Sequence, residues 1–449
     1  MQIGRSNLTS YGPGISKEVA VMICSAPSLR DVHLIARFHH TFYETLAREG
    51  RKATVHTLEI WNDKPLSSAS SHHLVEALCS LPNLTNLILR GVWVQEFCSH
   101  LNEKASTLKV HTLQIWDDEP LSSASSHHLV EALCSLPNLT NLILRGVYDQ
   151  EELYSQLNEK ASTLNVHTLQ IRNVESLSSA SSHHLVEALC SLPNLTNLIL
   201  NGVCDKEEFY SHLNEKASTL KVHTLEIWNY KPLSSASSHH LVEALCSLPN
   251  LTNLILRGVC DQEEFCSHLK EKASTLKVHT LEIWDIKPLS SASLHHLVEA
   301  LCSLPNLTNL TLSGVCEEEE FCSHLNEKAS SLKVHTLQIW NYKPLSSASS
   351  HHLVEALCFL PNLTNLILSR VWDQEEFYSL LNEKASTLKG SFPQISKGNF
   401  MFNRKPQKDL QSFLQTVSEE KRDIETSFES SSDEIETSSE SSSDEYFDA

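Results

Sequence analysis

Leu74-Val-Glu-Ala-Leu-Cys-Ser-Leu-Pro-Asn-Leu-Thr-Asn-Leu-Ile-Leu89 packs two structural periods into sixteen residues. Leu74, Ala77, Leu78 and Leu81 recur at the three-and-four spacing of one helical face. Leu84-Thr-Asn-Leu87-Ile-Leu89 then changes to L-x-x-L-x-L, where Leu87 and Leu89 point one way and Asn86, Ile88 and Arg90 the other. Pro82 divides the two, because the residue before a proline is pushed out of helical backbone. The stretch reads as a helix that feeds directly into a short strand, with serines such as Ser70 and Ser71 as candidate caps at the helix start.

The same stretch recurs. Leu-Pro-Asn-Leu-Thr-Asn-Leu opens at Leu81, Leu136, Leu192, Leu248, Leu304 and Leu360, and a second strand motif, Val-His-Thr-Leu, opens at Val55, Val110, Val166, Val222, Val278 and Val334. Central strand leucines such as Leu58, Leu87, Leu113, Leu142, Leu169 and Leu198 are spaced alternately by 29 and by 26 or 27 residues. Each long unit is therefore two short ones, at the length typical of leucine-rich repeats. The second kind carries its own helix, with Phe97, Leu101, Ala105 and Leu108 on one face. A strand and helix this short bury their apolar faces only by stacking on neighbours. The expected fold is an α/β solenoid, a horseshoe with a parallel inner sheet and outer helices.

The ends are degraded versions of the unit. Ala26-Pro-Ser-Leu29-Arg-Asp-Val32-His-Leu34 matches a strand motif, and Gly390-Ser-Phe-Pro-Gln-Ile395 falls at the next expected position with Pro393 in place of leucine, as suits a sheet edge. Thirteen good strands and a doubtful fourteenth are expected, with an inner arc of roughly 60 Å at ~4.8 Å per strand. The expected organisation is an N-terminal capping half-repeat over 1–54, six double repeats over 55–389, a degraded cap and linker over 390–418, and a disordered acidic tail over 419–449.

Composition narrows the function classes. A formal net charge of −20 disfavours a general nucleic-acid binder, which needs clustered Lys and Arg, so no nucleic-acid partner is expected. No apolar run reaches the roughly 18 residues of a membrane helix, and Val19–Cys24 reads as part of a repeat helix rather than a signal core, so no membrane partner is expected. The 13 cysteines are odd in number. Six of them (Cys79, Cys134, Cys190, Cys246, Cys302, Cys358) repeat at one helix position, too far apart to pair, and read as small buried hydrophobes of a cytoplasmic protein. Asn83, Asn138 and Asn194 form glycosylation sequons but fall within the strand motif.

Comparing the units with one another points to a surface. Outer helices are almost invariant, whereas residues just past each strand differ: Asn62-Asp-Lys, Asp117-Asp-Glu, Asn173-Val-Glu, Asn229-Tyr-Lys, Asp285-Ile-Lys, Asn341-Tyr-Lys. Trp93, Tyr148, Cys204, Cys260, Cys316 and Trp372 differ at one position after the alternate strands. The last outward residues of successive strands run Trp61, Arg90, Trp116, Arg145, Arg172, Asn201, Trp228, Arg257, Trp284, Ser313, Trp340, Ser369. Trp beside Arg allows cation–π contact, and both types dominate protein interfaces. Trp61, Arg90, Trp116, Arg145, Arg172, Trp228, Arg257, Trp284 and Trp340 are thus the candidate ligand-binding residues on a concave face. The alternative is that each Trp folds onto the neighbouring strand as lid packing.

Catalytic chemistry is not expected: the chain has no glycine-rich phosphate loop, nucleophile elbow or paired-carboxylate motif. His72 and Glu76 share a helix face and recur six times, but zinc needs three or four ligands, so neither a metal site nor a cofactor is expected. The Val-His-Thr histidines read as structural. In the tail, Ile424–Glu434 is nearly duplicated by Ile435–Glu445. Ser430, Ser431, Ser441 and Ser442 each precede an acid by three residues, which fits an acidophilic kinase as well as it fits a plain solubilising tail.

Carried by Leu74–Leu89 and its copies, the region from about Ser16 to Ile395 resembles the ribonuclease-inhibitor-like class of leucine-rich repeats. Its units look most like those at the C-terminal end of NACHT-type, NOD-like innate-immune receptors. That resemblance implies a non-enzymatic recognition scaffold for a protein ligand in innate-immune sensing. Two alternatives are a cytosolic enzyme inhibitor or regulator, of the ribonuclease-inhibitor or GTPase-activating type, and an adaptor governed by its tail. The family's Asn after the strand is replaced by Val92, Val147, Tyr230 or Ile286, and no nucleotide-binding or death-fold segment is found, so a receptor fragment or decoy form is expected.

Overall fold

The computed structural model describes residues 2–3, 10–11, 13–385 and 400–403, except 36, 63–65, 117–120, 147–149, 173–176, 203–206, 230–232, 261–262, 285–288, 342–344 and 370–374. Thirteen five-residue strands stand parallel and in chain order, from Asp31–Ile35 and Thr57–Trp61 to Asn365–Ser369. Their register is unbroken: Leu58, Leu87, Leu113 and Leu142 stand opposite one another on successive strands. Gln2–Ile3 adds a short parallel rung beside His33–Leu34. Phe400–Asn403 closes the far edge antiparallel to Asn365–Ser369. The strand expected at Gly390–Ile395 lies outside the described residues, as do residues 63–64, 117–119, 173–175, 230–231, 285–287 and 342–343 of the variable tripeptides, Tyr148, Cys204, Trp372 and the tail serines Ser430, Ser431, Ser441 and Ser442.

Two kinds of helix alternate behind the sheet. The longer, such as Ser68–Ser80, begins at a serine whose hydroxyl accepts from the backbone three residues on: Ser67 from Ser70 at 3.2 Å, and likewise at Ser122, Ser178, Ser234, Ser290 and Ser346. Such a cap stabilises its helix by about 1 kcal/mol. Leu81, ahead of Pro82, is already extended, which ends that helix. The shorter kind, such as Gln95–Lys104, tightens into a 3-10 turn at Ala105–Thr107. Val19–Cys24 lies within the helix Pro13–Ser25.

The core lies between the layers. Leu87 and Leu89 are 1% and 0% exposed, and Phe97, Phe209, Phe265, Phe321 and Phe377 are wholly buried at equivalent places on the shorter helices. Chain leaving five of the six Leu-Pro-Asn strands turns through Gly91, Gly146, Gly202, Gly258 or Gly314, all at φ between 62° and 77°, a region that side chains with a Cβ rarely adopt. Strands repeat at about 4.8 Å, whereas packed helices need about 8–10 Å, so the stack bends with the sheet on its concave side. This is a leucine-rich-repeat solenoid, as the spacing predicts.

Two expectations change. Five of the helix cysteines, Cys79, Cys134, Cys190, Cys246 and Cys302, are half-buried rather than buried, as is the sixth, Cys358, because the position faces the groove between helices. Cys190, Cys246 and Cys302 donate there to the carbonyls of Lys216, Lys272 and Lys328. Burial still pushes all five thiols up, Cys302 to about 11. Asn83 and Asn194 stand exposed on the turn before the strand rather than in it, and the neighbouring threonines, Thr85 and Thr196, donate to the His56 and His167 carbonyls.

Candidate functional site

Alternation along each strand sends three residues to the concave face, and parallel register lines them up as three columns. The first column alternates Thr and Asn, tied rung to rung: Asn141 Nδ2 donates to Thr112 Oγ1 at 3.2 Å and Asn253 Nδ2 to Thr224 Oγ1 at 3.2 Å. In the middle column Glu59, Gln114, Gln170, Glu226, Glu282 and Gln338 alternate with Ile88, Ile143, Ile199, Ile255, Thr311 and Ile367. The third column is the Trp and Arg series.

That third column stacks in two runs, one from Trp61 to Arg145 and one from Arg172 to Trp340, which meet where Arg145 stands opposite Arg172 in register. Arg90 stacks between two indoles, its guanidinium carbon 5.0 Å from the Trp61 ring centre and 4.0 Å from Trp116, while Arg145 covers Trp116 at 3.6 Å. Arg257 repeats the sandwich at 4.4 Å from both Trp228 and Trp284, and Arg172 reaches Trp228 at 5.7 Å. Trp61 and Trp116 meet edge to face at 5.2 Å. The middle column anchors the strip. Glu226 accepts from Arg257 Nε at 3.0 Å and from the Trp228 indole, and Glu282 accepts from Trp284 Nε1 at 3.1 Å. Gln170 presents its amide oxygen to Arg172 Nη2 at 2.9 Å. The indole N–H groups of Trp61 and Trp340 are shielded and have no acceptor among the described residues.

All nine sequence-derived candidates therefore lie in one column of the concave face. The rings do fold onto neighbouring strands, yet Trp61, Trp116, Trp228, Trp284 and Trp340 remain half-exposed. Two members of the series are not on the surface. Ser313 is 0% exposed, because Trp284 and Trp340, on either side of it, converge to 6.1 Å above it. Asn201 is 4% exposed beneath the Arg172 and Trp228 contact.

Among the described residues, the positions just past the strands are not a rim. Trp93, Cys260 and Cys316 are buried, since the left-handed glycine turns the chain inward. Trp93 packs edge to face on Phe97 and donates to the Leu89 carbonyl. Asn62, Asn229 and Asn341 are also buried, and Asn229 Nδ2 reaches the Tyr210 hydroxyl at 3.3 Å. These asparagines, at the exit of the Trp strands, were grouped with the variable residues by the sequence, which does not show that they are buried. Their recurrence directly after Trp was the available signal. Val92, at the family's Asn position, is wholly buried.

On the convex side Glu76 is held by Lys104 of the next helix at 3.3 Å, and Glu131, Glu187 and Glu243 by Lys160, Lys216 and Lys272 at 2.7 Å. The lysine contact holds the carboxyls of Glu131, Glu187 and Glu243 below the usual range. Among the described residues no helix is long and apolar enough to cross a membrane.

No family model matches the chain, and no curated protein matches it. Among solved structures it is similar to one described as "Crystal structure of TLR13-ssRNA13 complex", at 18% identity and a TM-score of 0.40. The match covers 79% of this chain and 55% of that one, so this chain spans about half the length of that neighbour.

Proposed function

We propose that this chain is a non-enzymatic recognition scaffold that binds a protein ligand along the Trp and Arg strip of its concave face. The observation that carries this reading is the alignment of the column: half-exposed indoles and guanidinium groups, held in two runs by cation–π contacts, presented in register on a rigid sheet. Such residues give large contact area at little entropic cost. Glutamates in the adjacent column support a protein over a nucleic acid, because Glu226 already neutralises Arg257 and would repel phosphate.

The resemblance of the units to NOD-like receptors supports a role in innate-immune sensing, and the helix cysteines that recur one repeat apart, too distant to pair with one another, support a cytoplasmic location. The net charge of −20 favours one second reading, an inhibitor or regulator of a basic enzyme in the manner of the ribonuclease inhibitor. Phosphorylation of Ser430, Ser431, Ser441 and Ser442 by an acidophilic kinase is proposed as the control on either role.

Affinity capture with the full chain, run beside Trp116→Ala with Trp228→Ala, tests the proposal. The double variant keeps its circular dichroism spectrum and loses the partner that the unmodified chain retains. Retention of that partner would place the binding surface elsewhere.

A further inference from the structure

The convex face carries a repeated pair of histidines that no single helix contains. His72 on the helix Ser68–Ser80 lies beside His100 on the next helix, Gln95–Lys104, with ring centres 4.9 Å apart and planes inclined at 72°. The same pair forms at His183 and His212 (5.1 Å, 69°), at His239 and His268 (5.0 Å, 68°), and at His295 and His324 (4.8 Å, 72°). Helix packing alone makes these pairs, since their members are 28 or 29 residues apart. The reading of His72 with Glu76 on one helix found no further ligand. The neighbouring helix supplies it, while Glu76 is engaged by Lys104.

The spacing fits one kind of ligand. A zinc-class ion lies about 2.0–2.1 Å from an imidazole nitrogen, hence about 3.2 Å from the ring centre, so two imidazoles on one tetrahedral ion have centres about 5 Å apart. The four pairs already stand at 4.8–5.1 Å, so side-chain rotation is enough to aim both donors at a common ion. On the second helix a carboxylate lies beside Nδ1 of each partner: Glu103 at 3.6 Å from His100, Glu215 at 3.8 Å from His212, Glu271 at 3.7 Å from His268 and Glu327 at 3.7 Å from His324. Those separations are longer than a hydrogen bond, and the carboxylate acts there as a nearby negative charge that favours a cation at the ring. Outer histidines at 72, 183 and 239 are exposed, so the donors are open to solvent ions.

We propose that each of these four inter-helix histidine pairs is a chelating site for a divalent transition-metal cation that favours imidazole, of the zinc, nickel or copper class, with water completing the coordination. The remaining two units are natural controls. In one, Gln156 takes the place of the second histidine and His127 Nδ1 faces its Oε1 at 3.2 Å; in the other that place is Leu380, opposite His351. His351, His352 and Glu355 bring three donor atoms within 4.8 Å on a single helix, so the test is built on differences between variants.

Calorimetric titration of the untagged, reduced full chain with Ni2+ decides the matter. The variant His100→Gln, His212→Gln, His268→Gln, His324→Gln should bind four fewer equivalents than the unmodified chain. Because Gln already stands at 156, the fold accommodates the change, and circular dichroism checks it. Gln156→His, made alone, should add one equivalent by completing the pair with His127, and it decides the question even if the fourfold variant does not fold. An unchanged stoichiometry in the folded fourfold variant, or no added equivalent in Gln156→His, overturns the proposal.

Discussion

Replacing Gly258 by alanine should destabilise the solenoid by about 2–4 kcal/mol, and the reasons can be counted. Gly258 sits at φ +62°, where a residue with a Cβ is disfavoured by about 1–2 kcal/mol. An added Cβ would also stand 2.3 Å from the Asn229 carbonyl oxygen on the neighbouring strand exit, far inside van der Waals contact. That atom is backbone, so relief requires moving the chain. Moving it weakens two hydrogen bonds, Gly258 N to Trp284 O at 3.0 Å and Asn229 N to Arg257 O at 2.9 Å, each worth about 1 kcal/mol net. Against this, alanine lowers the entropy of the unfolded chain and recovers about 0.4–1 kcal/mol. The measurement is equilibrium urea unfolding followed by circular dichroism, with tryptophan fluorescence as a second probe. Fluorescence should respond in the folded state too, because Arg257 and its two indoles adjoin the displaced peptide. Gly14→Ala is the matched control: nothing lies within 4 Å of its added Cβ, and alanine favours the helix Pro13–Ser25 by up to about 1 kcal/mol. Gly258→Ala within about 0.5 kcal/mol of the unmodified chain would refute the argument that left-handed backbone and close strand exits require glycine here.

Two further outcomes follow from the strip and the buried acids. Arg257→Ala removes two cation–π contacts and the 3.0 Å bond to Glu226, and should cost about 1–3 kcal/mol; a double-mutant cycle with Glu226→Gln should show a coupling of about 0.5–1.5 kcal/mol, and simple additivity would mean that the strip is not held from the middle column. Burial pushes Cys302 from 9.0 up to about 11 and Tyr43 from 10.0 up to about 12, so both favour the folded state only while they stay neutral. That contribution is complete below pH 9 and is lost as pH rises through 11 and 12, so the melting temperature should fall above pH 9, and fall less in Cys302→Ala. An identical alkaline slope in that variant would remove Cys302 from the account.

Much of this molecule is legible in one line of sequence. The alternation at Leu84–Leu89, repeated at alternating steps, determines which face of each strand is buried, and a strand has only two faces. Thirteen strands, their parallel order, the serine caps and the helix stop at Pro82 all follow from that. The alignment of Trp and Arg in one column follows as well, because a constant repeat length places equivalent residues side by side.

What tertiary structure alone decided lies past the regular elements or between them. Trp93, Cys260 and Cys316 looked like rim positions and are core, because a left-handed glycine reverses the direction of the chain just before them, and no periodicity extends through such a turn. Ser313 is hidden by two tryptophans that lean toward each other from flanking strands. The histidine pairs depend on how far each helix is rotated about its own axis against the next. Period reports one element's own geometry, whereas a contact between elements depends on relative rotation and on rotamers, which only packing against all the neighbours at once selects.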